Sequence, residues 1–187
     1  MTIQDAPTQD AQIRGLDRLL SEQDERQLSP GEYKTVFRQH PAGVAVVTLV
    51  GPAGHVGFTA TSVISVSAEP PLLAFSIAST SSSWPALAEA STVAVSFLAD
   101  DQDDISARFA TSGLDRFAAG GWSELATGEA VIDGALTWLR ARIVQRTPVG
   151  DSYLVSLRAL EAQTRTDAAP LVYNDRTYHR IGEHTAI

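Results

Sequence analysis

Gly57-Phe58-Thr59-Ala60-Thr61-Ser62-Val63-Ile64-Ser65-Val66-Ser67-Ala68-Glu69-Pro70-Pro71 is the stretch from which the fold of this chain is read. At a strand period of two, Phe58, Ala60, Ser62, Ile64 and Val66 share one face. Thr59, Thr61, Val63, Ser65 and Ser67 share the other. A β-rich stretch with an ordinary wet face carries charges or long polar side chains there. This one carries short hydroxyls and no charge. Such a lining suits a flat polar ligand that takes hydrogen bonds from Ser/Thr hydroxyls and backbone N–H groups. A strand chosen only for β-propensity would use the same residues, so the stretch by itself leaves both readings open. The double proline forbids further ladder pairing and ends the strand.

Outward from this stretch the pattern is strand after strand. Residues 44–50 form an apolar run, expected as a buried strand, and Gly51-Pro52-Ala53-Gly54 is a hairpin signal leading into a strand over 56–67. Further strands are expected at 72–78, 92–98, 135–147, 152–162, 171–173 and 177–181, with 111–134 irregular. Short helices are expected at 84–90 and at 101–110, the latter capped by Asp100. Ser29-Pro30-Gly31-Glu32 opens a helix to about residue 39 with Ser29 as N-cap. Upstream, residues 1–10 are read as disordered and 11–28 as a weak amphipathic helix carrying Ile13, Leu16, Leu19 and Leu20. Two units result: a polar tail and helix over 1–28, and one domain over 29–187. Many strands without strand–helix alternation argue for a mainly β, antiparallel barrel with short peripheral helices.

Composition narrows the function. The 187 residues suffice for one domain, and 44% hydrophobic with 19% charged residues is a globular composition. A formal charge of −8 argues against nucleic acid or an anionic membrane as partner. The absence of cysteine excludes thiolate metal sites and cysteine nucleophiles and fits a reducing cytoplasm. Neither a signal-like apolar segment near Met1 nor a run of membrane-spanning length is present, so a cytoplasmic protein is expected.

Ser79-Thr80-Ser81-Ser82-Ser83-Trp84-Pro85 lies between a strand and a helix start. Hydroxyls and free N–H groups there would suit a phosphate, with a plain serine linker capped by Ser83 as the alternative. His40, His55, His179 and His184 show no metal-ligand spacing, and no metal is expected. Hydrolase elbows, Walker loops and dinucleotide glycine fingerprints are absent, and no catalytic side chain is assigned. Chemistry borrowed from a cofactor needs none of these groups.

The chain resembles the flavin reductase family, the split-barrel flavoproteins that supply reduced flavin to two-component monooxygenases. The resemblance runs over about residues 30–182 and is carried by Pro41-Ala42-Gly43-Val44 through Thr48, by Gly57-Phe58-Thr59-Ala60-Thr61-Ser62, and by Ser67-Ala68-Glu69-Pro70-Pro71. It continues through Ser81-Ser82-Ser83-Trp84, Ser106-Ala107-Arg108-Phe109, Asp115-Arg116-Phe117, Gly150-Asp151 and Pro170-Leu171-Val172-Tyr173. It implies a Greek-key split barrel that forms a homodimer around FMN or FAD, with NADH or NADPH as co-substrate and a flavin-dependent monooxygenase as partner. Thr59, Ala60, Thr61 and Ser62 are thereby implied at the flavin ring. Residues 76–83, among them Ser76, Ile77, Ser79, Ser81, Ser82 and Ser83, are implied around the ribityl chain and phosphate, with Phe109 nearby. Where many members have His after Gly-Asp, associated with the nicotinamide site, this chain has Ser152; where members often have a basic residue, it has Ser82. The expected activity is NAD(P)H-dependent flavin reduction. The alternatives are a flavin-binding oxidoreductase with another acceptor such as a quinone, and a non-catalytic flavin or haem carrier.

Overall fold

The computed structural model describes residues 26–181. The expected disordered segment, almost all of the helix expected over 11–28, and His184 lie outside them. Helix α1 (Pro30–Arg38) starts as its sequence dictates. The Ser29 hydroxyl accepts the Glu32 N–H at 3.3 Å, and the Glu32 carboxylate accepts the Ser29 N–H at 2.8 Å. Yet α1 buries none of its residues; Tyr33, Val36 and Phe37 stand 55%, 59% and 54% exposed.

Twelve strands follow among the described residues: β1 (Ala42–Gly43), β2 (Ala45–Gly51), β3 (Gly54–Ala60), β4 (Ile64–Ser67), β5 (Leu72–Ala78), β6 (Thr92–Phe97), β7 (Trp122–Glu124), β8 (Ala130–Ile132), β9 (Thr137–Val149), β10 (Ser152–Thr164), β11 (Leu171–Asn174) and β12 (Thr177–Arg180). Helix α2 (Trp84–Glu89) and helix α3 (Asp103–Ala110) flank β6. Seven strands form one antiparallel sheet in the order β3-β2-β6-β9-β10-β5-β4, beside a three-stranded β1-β11-β12 sheet and a β7-β8 hairpin. The chain is mainly β with a few short helices.

The apolar run of β2 is explained by burial on both faces. Ala45, Val47 and Leu49 join a core with Phe75, Val95, Val155 and Leu157, while Val44 and Val46 join a second core with Leu98, Phe109 and Leu171. At Gly57, on β3, a Cβ would stand 2.7 Å from the Phe109 ring, so only glycine lets α3 pack this closely.

Three local expectations differ from the structure. The strand expected over 56–67 is two strands, and its parity is lost after Ala60: Phe58 and Ala60 are buried, whereas Ile64 and Val66 are 56% and 57% exposed. The break falls where the Ser62 hydroxyl takes the place of a ladder, accepting the Ser76 N–H at 3.0 Å and donating to the Ser76 carbonyl at 3.1 Å. Asp100 does not cap α3, which starts two residues beyond the expected 101. Gln102 occupies the cap position without a side-chain cap bond, its carboxamide being turned to the Ala99 N–H and the Asp133 carbonyl. The β7-β8 hairpin fills a stretch expected to be irregular. Its backbone is held by distant side chains: Ser96 Oγ accepts the Ile132 N–H at 3.1 Å, and the Thr48 hydroxyl donates to the Ala130 carbonyl.

The two edges of the large sheet, β3 and β4, are consecutive in the chain and joined by Thr61-Ser62-Val63. No ladder connects them among the described residues. The Ser62 bridge to β5 sits in the three-residue link between these two edges.

Candidate functional site

Beside that bridge lies a cavity of about 300 Å³ whose walls include Thr59, Ser76, Thr80, Ser81, Ser82, Ser112 and Arg116. Strand β5 ends at Ala78, and the following turn folds on itself. Ser81 N–H donates to the Ala78 carbonyl, Trp84 N–H to the Ser81 carbonyl, and Ser83 N–H to Ser81 Oγ at 3.3 Å. Three of the N–H groups expected to be free are thus used within the turn. Helix α2 has only six residues and Ser83 makes no side-chain cap, so the cavity's positive charge comes from elsewhere.

Arg116 supplies it. Its Nη1 donates to the Gly57 carbonyl at 2.6 Å and to Ser83 Oγ at 3.4 Å, and its Nε donates to the Thr111 carbonyl at 3.0 Å. Nη2 has no acceptor among the described residues. Desolvation pushes the Arg116 pKa down from its ordinary value, but an arginine stays charged at neutral pH. Residue-by-residue reading had not assigned Arg116. The signal was present in Asp115-Arg116-Phe117, but only the tertiary fold carries it to the serine turn.

A second cavity, about 640 Å³, is lined by Thr61, Ser62 and Ile64 on one side and by Tyr33, Lys34, Phe37 and Arg38 of α1 on another. Ser76 lines both cavities. The two spaces therefore share one serine of their walls: a larger one beside the strand break, and a smaller one walled by hydroxyls and a guanidinium.

The residues singled out in the sequence divide accordingly. Thr59, Ser76, Ile77, Ser81, Ser82 and Phe109 line the smaller cavity, Ile77 and Phe109 from the core side; Thr61, Ser62 and Ser76 line the larger. The Thr59 hydroxyl donates to the Ser106 carbonyl at 2.7 Å, and Ser62 is tied to Ser76, so neither hydroxyl proton is free. Ala60, Ser79, Ser83 and Ser152 line neither space. Ala60 is buried in the core, and Ser83, 1% exposed, stands behind Arg116. Ser79 N–H donates to the Asp151 carbonyl at 2.9 Å, and Ser152 Oγ donates to the Asp151 carboxylate at 2.9 Å.

Known proteins resemble this chain in sequence and in fold. The flavin reductase like domain matches residues 37–182. An NADH:FMN oxidoreductase of Rhodococcus qingshengii is 45% identical over 155 residues, covering 80% of this chain and 81% of that protein. Among solved structures, an NADH:FAD oxidoreductase of Streptomyces globisporus C-1027, in complex with NAD and FAD fragments, superposes with a TM-score of 0.79 at 26% identity. It covers 87% of this chain and 100% of that one. The flavin reductase component of a bacterial two-component tryptophan halogenase gives a TM-score of 0.76 at 27% identity, over 83% of this chain and 99% of that one. The match to the domain spans every strand among the described residues and all the lining of both cavities except Tyr33 and Lys34, and on it the chain belongs to the flavin reductase family.

Proposed function

We propose that this protein is an NAD(P)H-dependent flavin reductase that takes FMN or FAD into the two neighbouring cavities and delivers the reduced flavin to a partner monooxygenase. The observation that carries this is that the two cavities share Ser76 as a wall, the larger beside Thr61 and Ser62, the smaller lined by Ser81, Ser82 and Arg116. The donor set fits a flavin phosphate: short hydroxyls surround one guanidinium whose Nη2 is unpaired among the described residues. The 45% identity to an NADH:FMN oxidoreductase supports the reading.

When bound, the flavin supplies a ring that accepts a hydride from nicotinamide C4 at its N5. The chain contributes position and electrostatics. Arg116, Ser81 and Ser82 hold the phosphate end. Ladder pairing of β3 with β2 stops at Ala60, which leaves the backbone around Thr61 and Ser62 to donate where negative charge grows on the ring. Thr59 and Ser62 act as braces, their hydroxyls fixing that backbone to α3 and β5. No side chain of the chain need move a proton for the hydride step.

The finer architecture belongs to the same proposal. The sheet acts as a Greek-key split barrel over 29–187, with 1–28 as an added segment, in a cytoplasmic homodimer. No helix among the described residues is long and apolar enough to cross a membrane. Edge strand β4 exposes Ile64 and Val66 beside the larger cavity, an apolar edge that a second copy would cover. The test is a steady-state assay crossing NADH and NADPH with FMN, FAD and riboflavin. Nicotinamide oxidation that depends on added flavin is expected; none with any pair would overturn the proposal.

A further inference from the structure

The larger cavity holds charge that a flavin ring does not require. On a chain of net charge −8, its wall gathers Lys34, the chain's one lysine, with Arg38 and Arg176, against the single carboxylate of Asp175. None of the three cations forms an ion pair with a described residue.

Arg176 is also held in an unfavourable backbone. It lies in the β11-β12 turn, Asn174-Asp175-Arg176-Thr177, where Asp175 has φ 44° and Arg176 has φ 64°. Two left-handed residues in a two-residue hairpin are ordinarily supplied by Asn-Gly or Asp-Gly, because only glycine enters that region without a Cβ clash. This chain places arginine where glycine would fit best. The turn is tied to α1, since Asp175 N–H donates to the Arg38 carbonyl at 3.0 Å, so Arg176 and Arg38 face the same space. Asn174 Oδ1 is buried nearby with no donor. A strained residue persists when its surroundings fix it, and such residues concentrate at ligand clamps.

Helix α1 also brings aromatic rings to this cavity. The Tyr33 and Phe37 rings lie 4.7 Å apart, with the His40 ring 6.3 Å from Phe37. Flat rings beside cations that have no ion-pair partner among the described residues match a nucleotide base followed by a diphosphate. We propose that Arg176, with Lys34 and Arg38, anchors the nucleoside diphosphate of a dinucleotide lying across the larger cavity, its base against Tyr33 and Phe37. The inference rests on the flavin reductase reading for the identity of the dinucleotide. Both NAD(P)H and the adenylate end of FAD carry this group.

The test compares the full-length chain with Arg176→Gly and Arg176→Lys. ADP, FMN and FAD are titrated calorimetrically, melting temperature is measured, and NADH kinetics are run at saturating FMN. Arg176→Gly is expected to weaken ADP binding by about tenfold, the loss of one charge-assisted contact, and to leave FMN binding within about twofold. Its melting temperature is held or raised, because glycine relieves the left-handed strain; Arg176→Lys keeps the charge and restores most of the ADP affinity. A raised KM for NADH at unchanged kcat identifies the co-substrate as the occupant. Weakened FAD binding at unchanged KM identifies the adenylate of FAD. Unchanged ADP binding, or a lowered melting temperature with no recovery of ADP binding in Arg176→Lys, overturns the inference. If ADP binding responds as expected but no flavin is reduced by NADH or NADPH, the reductase reading fails while the diphosphate site stands.

Discussion

Arg116 ties the 111–117 loop to β3 through the Gly57 carbonyl, lines the smaller cavity, and keeps Nη2 without an acceptor among the described residues. A charge-assisted hydrogen bond contributes about 1.5–3 kcal/mol, so Arg116→Gln should weaken FMN binding roughly 10- to 100-fold while riboflavin, lacking the phosphate, changes little. Parallel fluorescence titrations of the two flavins check this; equal losses would place the phosphate elsewhere. Ser83→Ala should matter less than Ser82→Ala, because Ser83 is buried behind the guanidinium and Ser82 faces the cavity. Gly57 makes the opposite point, a residue defined by what it lacks. Gly57→Ala would drive a Cβ to within 2.7 Å of Phe109, and overpacking of this kind costs about 1–3 kcal/mol. Thermal unfolding should register it as a fall of several degrees, about 2–4 °C per kcal/mol at this chain length.

Among the elements, α1 is the least anchored to the body of the protein and carries Lys34 and Arg38 to the larger cavity. Ser29→Ala removes the capping box and should cost the helix about 1 kcal/mol. Because α1 buries nothing, the loss should appear as faster amide exchange in residues 31–38, with global melting little changed. A drop in global melting would mean that α1 folds with the sheet. Strands β8 and β9 are joined differently, through Glu129, 1% exposed, and Arg140 at 3.0 and 3.1 Å. Burial alone would raise the Glu129 carboxyl, but hydrogen bonds from Thr127, Thr92 and Arg140 outweigh it and hold the pKa below the ordinary value. A depressed carboxylate contributes stability above its unfolded pKa, near 4.3, and loses it as pH falls through the folded value. Glu129→Gln should therefore be less stable than the parent at pH 7, with the gap narrowing below about pH 4. Urea midpoints across pH 3–7 measure this, and a constant gap would contradict it.

At the scale of the whole molecule, the two open edges of the large sheet are linked at the site. Edges β3 and β4 are linked by three residues, and the Ser62 hydroxyl bridges to β5 in place of a strand ladder. The edge left open exposes Ile64 and Val66, and paired charges there should oppose association with a second copy. The Ile64→Glu/Val66→Glu double variant is expected to shift the protein to a monomer in light scattering and to weaken flavin binding with it. A dimer that persists in the double variant would move the interface to another face.

Much of this was legible in the residues themselves. The capping box, the hairpin glycines and the apolar run of β2 are local patterns, and each produced its element because near neighbours determine backbone choice; the hydroxyl stretch did so only as far as Ala60. What the chain could not reveal locally depends on distant partners. The break after Ala60 needs Ser76, the β7-β8 hairpin needs Ser96 and Thr48, and Arg116 reaches the serine turn only when α3 packs on Gly57. Composition and periodicity determined a mainly β chain with short helices. Tertiary packing alone decided which hydroxyls face the cavities, which are spent as braces, and which cations stand beside them, because hydrogen-bond partners and charges separated by tens of residues are chosen in space and leave no local period.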